Sequence, residues 1–221
     1  MKPIVIFGVG EFADQVFYYF KKESPYEVVA FTVESTYIKE EKFHGLPVLP
    51  FESIEIDFPS THYDMFIAVG YNNLNRVREK FFLEAKQKGY KLVNYVHPSA
   101  FLAQNFLMGE NCYLLQRISA LPNSRIGNGV ILHTDSGMAH DCYIGDFCFF
   151  SAGCCISANV SFGPYCFVSI NTTFKPGIKI GHSVIIGAGS LILENAPDES
   201  VYIEQGTPRM NRSSKFYKKF I

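Results

Sequence analysis

The chain has 221 residues, with 20 Lys and Arg against 21 Asp and Glu, and a formal net charge of −1 at pH 7. Balanced charge without a long basic run argues against nucleic acid or an anionic membrane as partner. No apolar stretch approaches ~18 residues and a strand pattern begins almost at once, so the sequence reads as a cytoplasmic protein without a leader or a membrane span.

Residues 1–95 alternate strand and helix patterns. A short apolar strand at 3–7 is followed by the turn Gly8-Val9-Gly10 and a helix at 11–22 with Phe12, Val16, Phe17 and Phe20 on one side. Residues 26–33 and 63–69 are β-rich, and the second run closes on Gly70. A helix is predicted over 73–88 with Leu74, Val77, Phe81 and Ala85 inward and Gly89 as its stop. A last strand at 91–96 leads onward, and 34–60 reads mostly as loop. This alternation predicts a small parallel α/β sheet, about half a dinucleotide-binding fold.

From Val96 to Ile192 every sixth residue is apolar, seventeen positions in succession. At 48% apolar composition the chance of this in any of six phases is ~10⁻⁵. Four residues after most of these anchors stands a small residue, such as Cys112, Ser124, Ser136 or Cys148. One large and one small inward side chain per hexad fill a narrow prism. Glycine follows the anchor at Gly109, Gly127, Gly145, Gly163 and Gly181, once per eighteen residues. The expectation is a corner whose backbone angles need glycine. Residues 96–197 are therefore predicted to form a parallel β-helix of nearly six three-sided coils. Residues 198–221 leave the beat and are predicted to form a turn at 206–210 and a tail.

Cys112, Cys142, Cys148, Cys154 and Cys166 fall on the small inward position; Cys155 does not. Their phase predicts packed thiols in place of a disulfide framework or a metal cluster.

Chemistry is legible at two places. Gly8-x-Gly10-x-x-Ala13 joins a strand to a helix, where glycines let a backbone approach a phosphate at a helix N-terminus. Glu34 ends the second strand, in reach of a ribose. The sheet is too small for a nicotinamide cofactor and suits the nucleotide of a nucleotide-linked substrate, the alternative being a tight turn without a ligand. Asn72 and Asn73 follow another strand; either reaches a sugar or phosphate, and Asn73 also suits a helix cap. In the solenoid, His140 lies off the inward phase beside Asp141. A histidine next to a carboxylate serves as a base near neutral pH, whereas on residues alone a solvated corner histidine is the favoured reading. His133, His140 and His182 are too scattered to converge on zinc, so no metal is expected.

Together these segments resemble the sugar acyltransferase family that includes bacterial sialic acid O-acetyltransferases and the N-acetyltransferases of bacillosamine and perosamine synthesis. The matching residues are, in order, Ile4, Phe7-Gly8-x-Gly10, Ile67-Ala68-Val69-Gly70-Tyr71-Asn72, Asn94-Tyr95-Val96-His97-Pro98-Ser99-Ala100, His140-Asp141-Cys142-x-Ile144-Gly145-Asp146-Phe147, Ile186-Gly187-Ala188-Gly189 and Gly206-Thr207-Pro208-Arg209-Met210. The resemblance implies a left-handed β-helix, a homotrimer with active sites between subunits, acetyl-CoA along the prism, and a nucleotide-linked amino sugar as acceptor. It implies His140 as general base, made more basic by Asp141. It places Phe149, Ile170 and Ala188 along coenzyme A, Ala158 at an amide near the thioester, and Gly8, Gly10, Glu11, Val33 and Glu34 at nucleotide-sugar contacts. O-acetylation of a sugar or sialic acid is the alternative activity, and a scaffolding solenoid the alternative class.

This chain departs from the family pattern at several positions. Its first loop lacks the Gly-x-x-Gly-His-Gly form of uridine-sugar binders, and Glu11 stands near that histidine's place. Val33-Glu34 replaces a pair of acids, and Phe149 replaces a histidine that often touches coenzyme A. His133 stands where an asparagine is common, beside the catalytic histidine, as a second polar group for the acceptor.

Overall fold

A computed structural model describes residues 2–203, 206 and 209. Of the 206–210 turn only Gly206 and Arg209 are described, and the predicted tail lies outside the described residues.

The first part is a five-stranded sheet in the order β3-β4-β2-β1-β5. β1 (Ile4–Phe7) pairs in parallel with β2 (Val28–Val33) and with β5 (Asp64–Ile67). β1 and β5 are buried along their whole length, as strands covered on both faces must be. α1 (Glu11–Glu23) packs Ala13, Val16, Phe17 and Phe20 against one face. α3 (Arg76–Gln87) packs Phe81, Phe82 and Ala85 against the other, where Phe81 stacks on Phe7 at 4.0 Å. The short α2 (Ile54–Asp57) buries Ile54 on that same side.

Two expectations need correction here. The stretch 34–60 holds β4 (Leu46–Pro50), paired in parallel with β2, and β3 (Lys42–Phe43), which closes a short antiparallel hairpin. Pro47 and Pro50 hide that strand in the sequence, because proline cannot donate to a ladder. The last helix begins at Arg76, not 73. Asn73, Leu74 and Asn75 all hold left-handed backbone, with φ of 49°, 46° and 66°, so Asn73 is no cap.

From Tyr95 onward the described residues form eighteen two-residue strands on three walls. The first wall runs from Tyr95–Val96 to Val201–Tyr202, the second from Phe101–Leu102 to Leu191–Ile192, and the third from Leu107–Met108 to Lys179–Ile180. Strands on each wall pair in parallel at eighteen-residue spacing, for example Phe149↔Phe167 and Phe150↔Val168, except that the last pair of the first wall, Ile185↔Val201, is sixteen apart. The anchors and small residues fill the prism together, with Phe150, Phe162 and Phe174 meeting edge to face at 5.0 and 4.9 Å. All six cysteines are free thiols, five of them buried in the prism and Cys155 exposed.

The corner glycines serve a different purpose from the one expected. Their φ angles are ordinary; what they provide is closeness. A Cβ on Gly145 would lie 2.7 Å from the Pro164 nitrogen, and one on Gly163 2.6 Å from the His182 nitrogen. The left-handed residue falls two positions later in every hexad from Asn111 to Gly189. It is often Asn or Asp, as at Asn123, Asp135, Asp141, Asn159 and Asn171. Those types tolerate this conformation through their short polar side chains.

The α/β sheet and α1 dock on the outward residues of the first wall. Tyr95, Tyr113, Ile131 and Phe149 join Phe20 and Phe66 in one buried cluster. Asn111, from a solenoid corner, completes the edge of β5: its Oδ1 accepts from the Ile67 N–H at 2.7 Å, and its Nδ2 donates to the Ile67 carbonyl at 3.2 Å. A side-chain amide there substitutes for a further strand.

Candidate active site

The carboxyl edge of the sheet holds the first group of residues. Gly8 has φ of +122°, and a Cβ there would meet the Ala68 carbonyl oxygen at 2.8 Å. The turn after β1 therefore needs glycine at that position. Gly10 precedes α1 with extended backbone, and nothing lies within 4 Å of where its Cβ would be. Gly10 and Val33 share a cleft of about 490 Å³ with Val9, Phe43, Lys39 and Lys42. Glu34 is turned instead to Lys80 of α3, at 3.0 Å. Glu11 is exposed on the first turn of α1, and Asn72 is exposed on the loop after β5. Lys39 and Lys42 belong to the stretch read as loop. Their signal in the sequence was a pair of lysines flanking Glu40 and Glu41 between turn residues.

The same loop carries Tyr71, whose ring lies 5.0 Å from both Phe149 and Phe167 on the first wall. Phe149 is only 6% exposed beneath it. His133 packs beside Phe149 at 5.2 Å. Burial pushes the His133 imidazole below its ordinary pKa, and its buried Nε2 has no hydrogen-bond partner among the described residues. His133 thus points away from the prism core as expected, and it packs beside Phe149 on the first wall.

The second group sits at the corner between the second and third walls. His140 and Asp141 follow the strand Gly137–Met138. Asp141 takes the left-handed corner position, with φ of 60°, which turns its carboxylate back onto its neighbour. His140 Nδ1 meets Asp141 Oδ2 at 2.6 Å. That contact, followed by an amide donated by Asn123 at 3.0 Å, holds the Asp141 carboxyl below the usual range. With Nδ1 committed, Nε2 is the nitrogen open to an incoming group. Ala158 occupies the same corner one coil on, where the Asn159 N–H donates to the His140 carbonyl at 3.1 Å.

Ile170 and Ala188 occupy adjacent coils at a different corner, between the first and second walls, where the Gly189 N–H donates to the Ile170 carbonyl at 2.8 Å. One chain therefore brings together His140, Asp141 and Ala158, and separately Ile170 with Ala188, and Phe149 with His133. The first of these sets stands at a different corner of the prism from Ile170, Ala188 and His133. His133 and His140 stand seven residues apart but on different walls, so His133 is not beside His140 within a chain.

Residues 3–84 match the PglD N-terminal domain family. A 115-residue stretch is 23% identical to the GDP-perosamine N-acetyltransferase of Escherichia coli O157:H7, spanning 52% of this chain and 52% of that protein. The crystal structure of PerB from Caulobacter crescentus, in complex with CoA and GDP-perosamine, is 26% identical. It matches over 92% of this chain and 95% of that one, with a TM-score of 0.80. Over nearly its whole length the chain is thus similar to a β-helix sugar acetyltransferase, and its first part to the PglD N-terminal domain.

The acetyltransferase domain of PglB from Neisseria gonorrhoeae FA1090, in complex with acetyl coenzyme A, shares the fold. Its TM-score is 0.78 at 20% identity, over 92% of this chain and 96% of that one. The β-helix here is left-handed and the α/β part precedes it. No described helix is long and apolar enough to cross a membrane.

Two polar groups were not singled out from sequence. Arg78, at the joint, is fully buried without a carboxylate partner among the described residues, and Asn123 is exposed at the corner of His140, one coil earlier. Only the eighteen-residue spacing from Asn123 to Asp141 could have marked the latter.

Proposed function

We propose that the chain is an acetyl-CoA-dependent N-acetyltransferase acting on a nucleotide-linked amino sugar, working as a homotrimer in the cytoplasm. The observation that carries this reading is the His140–Asp141 pair at 2.6 Å, which leaves Nε2 facing outward from a prism corner. His140 Nε2 takes a proton from the sugar amine as the nitrogen attacks the thioester carbonyl. The C–N bond forms, the C–S bond breaks, and the proton passes to the departing thiolate. Asp141 balances the imidazolium that forms on the way.

The α/β part, residues 1–95, seats the nucleotide in the cleft lined by Gly10 and Val33, with Lys39 and Lys42 at hand for a diphosphate. The turn at Gly8, the exposed Glu11 and Asn72, and the half-buried Glu34 beside Lys80 frame that seat. Residues 96–197 supply the acyl-transfer surface. Phe149, Ala158, Ile170 and Ala188 take the coenzyme A contacts that the resemblance implies, and His133 serves the acceptor. In this reading a neighbouring copy carries His140 to the cleft of the next. The Caulobacter structure with CoA and GDP-perosamine supports this class of substrate pair. Six free thiols suit a reducing compartment.

The test is CoA release from acetyl-CoA with GDP-, UDP- and dTDP-linked amino sugars, with oligomeric state measured in parallel. Turnover is expected with at least one, and His140→Ala is expected to keep the oligomer while lowering turnover by at least ~10². Near-normal turnover in that variant removes the base role.

A further inference from the structure

The corner that carries His140 is built as a ladder. Asn105, Asn123 and Asp141 stand one coil apart, at eighteen-residue spacing. Asn105 Nδ2 donates to Asn123 Oδ1 at 2.6 Å, and the Asn123 backbone N–H donates to Asn105 Oδ1 at 3.2 Å. Asn123 Nδ2 then donates to Asp141 Oδ1 at 3.0 Å. The other oxygen, Asp141 Oδ2, is the one that meets His140 Nδ1 at 2.6 Å. Each carboxylate oxygen therefore has its own partner, Asn123 on one side and His140 on the other.

This division matters because the corner is open. Both His140 and Asp141 are exposed, and an exposed carboxylate pair held by one contact samples several rotamers. Asn123 is restrained at its own backbone and side chain by Asn105, and its left-handed φ of 63° aims its amide along the prism axis toward the next coil. We propose that Asn123 is a positioning residue for the reaction: it fixes the rotamer of Asp141, which in turn fixes the ring orientation of His140. Asn105 supports it from the coil before. This inference rests on His140 being the base.

The experiment measures kcat, KM and thermal midpoint for Asn123→Gly, alone and in an Asp141→Asn background. Glycine keeps the left-handed backbone and removes the amide, so folding is spared. Asn123→Ser, whose hydroxyl is too short to span the coil spacing, is the second variant. Asn159→Gly is the control, with the same left-handed turn one coil on, at φ of 61°, and no side-chain bond to His140 or Asp141.

Both Asn123 variants are expected to lower kcat about tenfold with KM for acetyl-CoA within twofold, while Asn159→Gly changes only the thermal midpoint. In the Asp141→Asn background the Asn123→Gly step is expected to cost nothing further, because its effect runs through that carboxylate. Unchanged kcat in both Asn123 variants, or an equal loss with Asp141 already replaced, overturns the inference. If His140→Ala itself keeps full turnover, the base reading fails, and that outcome is distinct from an inert Asn123 beside an essential His140.

Discussion

Arg78 Nε of α3 donates to the Gly129 carbonyl at a solenoid corner, 2.9 Å away and 51 residues on. The rest of the guanidinium is equally committed. Its other nitrogens donate to the carbonyls of Val69, Gly70 and Phe147 and to Asn75 Oδ1. Burial pushes its pKa down to about 9, so it still carries its charge at neutral pH. One side chain ties the loop after β5 to two coils of the prism. Arg78→Met leaves those buried acceptors unpaired and is expected to destabilise the fold by ~3 kcal/mol. Urea denaturation of variant and parent checks this, and a loss below ~1 kcal/mol would show that water replaces the lost donors.

The two glycines of the first turn are predicted to behave oppositely. Gly8→Ala sets a Cβ 2.8 Å from the Ala68 carbonyl oxygen at a φ of +122° and is expected to cost ~2–3 kcal/mol of stability. At Gly10 a Cβ meets nothing within 4 Å, so Gly10→Ala is expected to leave stability within ~0.5 kcal/mol. If the nucleotide sugar lies against this turn, the same methyl raises its KM severalfold. Equal thermal midpoints for the two variants would contradict the contrast.

How far the sequence discloses this molecule depends on whether a feature is periodic. The hexad is, so the prism and its buried cysteines are legible. The corner geometry is only half so: the glycine beat is visible at Gly145 and Gly163, but the left-handed strain lies at Asn123, Asp141 and their equivalents. β4 is masked by Pro47 and Pro50. Arg78 and Asn111 are beyond reach, because each acquires its role only when the α/β part meets the first wall. A buried arginine in a sequence looks like any helical arginine. For the same reason the pairing of His140 with Asp141 is readable from adjacency, whereas the division of His133 and His140 between walls needs the coil to be closed.

His133 gives a pH dependence with a definite sign. Burial lowers its pKa in the folded protein below the ordinary 6.5. Between those two values the unfolded chain binds more protons than the folded one, so stability is full above about pH 6.5 and falls as acid titrates through the window. His133→Asn removes that linkage. The drop in thermal midpoint between pH 7.5 and pH 5 is therefore expected to be smaller in the variant than in the parent. An identical drop in both would mean that His133 is not desolvated in solution.

Phe149 and Tyr71 should separate stability from binding. The resemblance places Phe149 along coenzyme A, yet here its ring lies under Tyr71 and stacks on Phe167 at 5.6 Å. A side chain so covered contributes mainly by packing, and Phe149→Ala is expected to cost ~3 kcal/mol. Tyr71 is the exposed member, at 55% exposure, and so it is the ring that a ligand approaching this wall meets first. Tyr71→Ala should lower stability by less than ~1.5 kcal/mol while raising KM for acetyl-CoA or for the sugar nucleotide. The informative comparison uses Phe149→Leu, which keeps most of the packed volume. If that variant folds like the parent yet loses acetyl-CoA affinity while Tyr71→Ala keeps it, then Phe149 makes the contact itself, and Tyr71 must swing aside when coenzyme A binds.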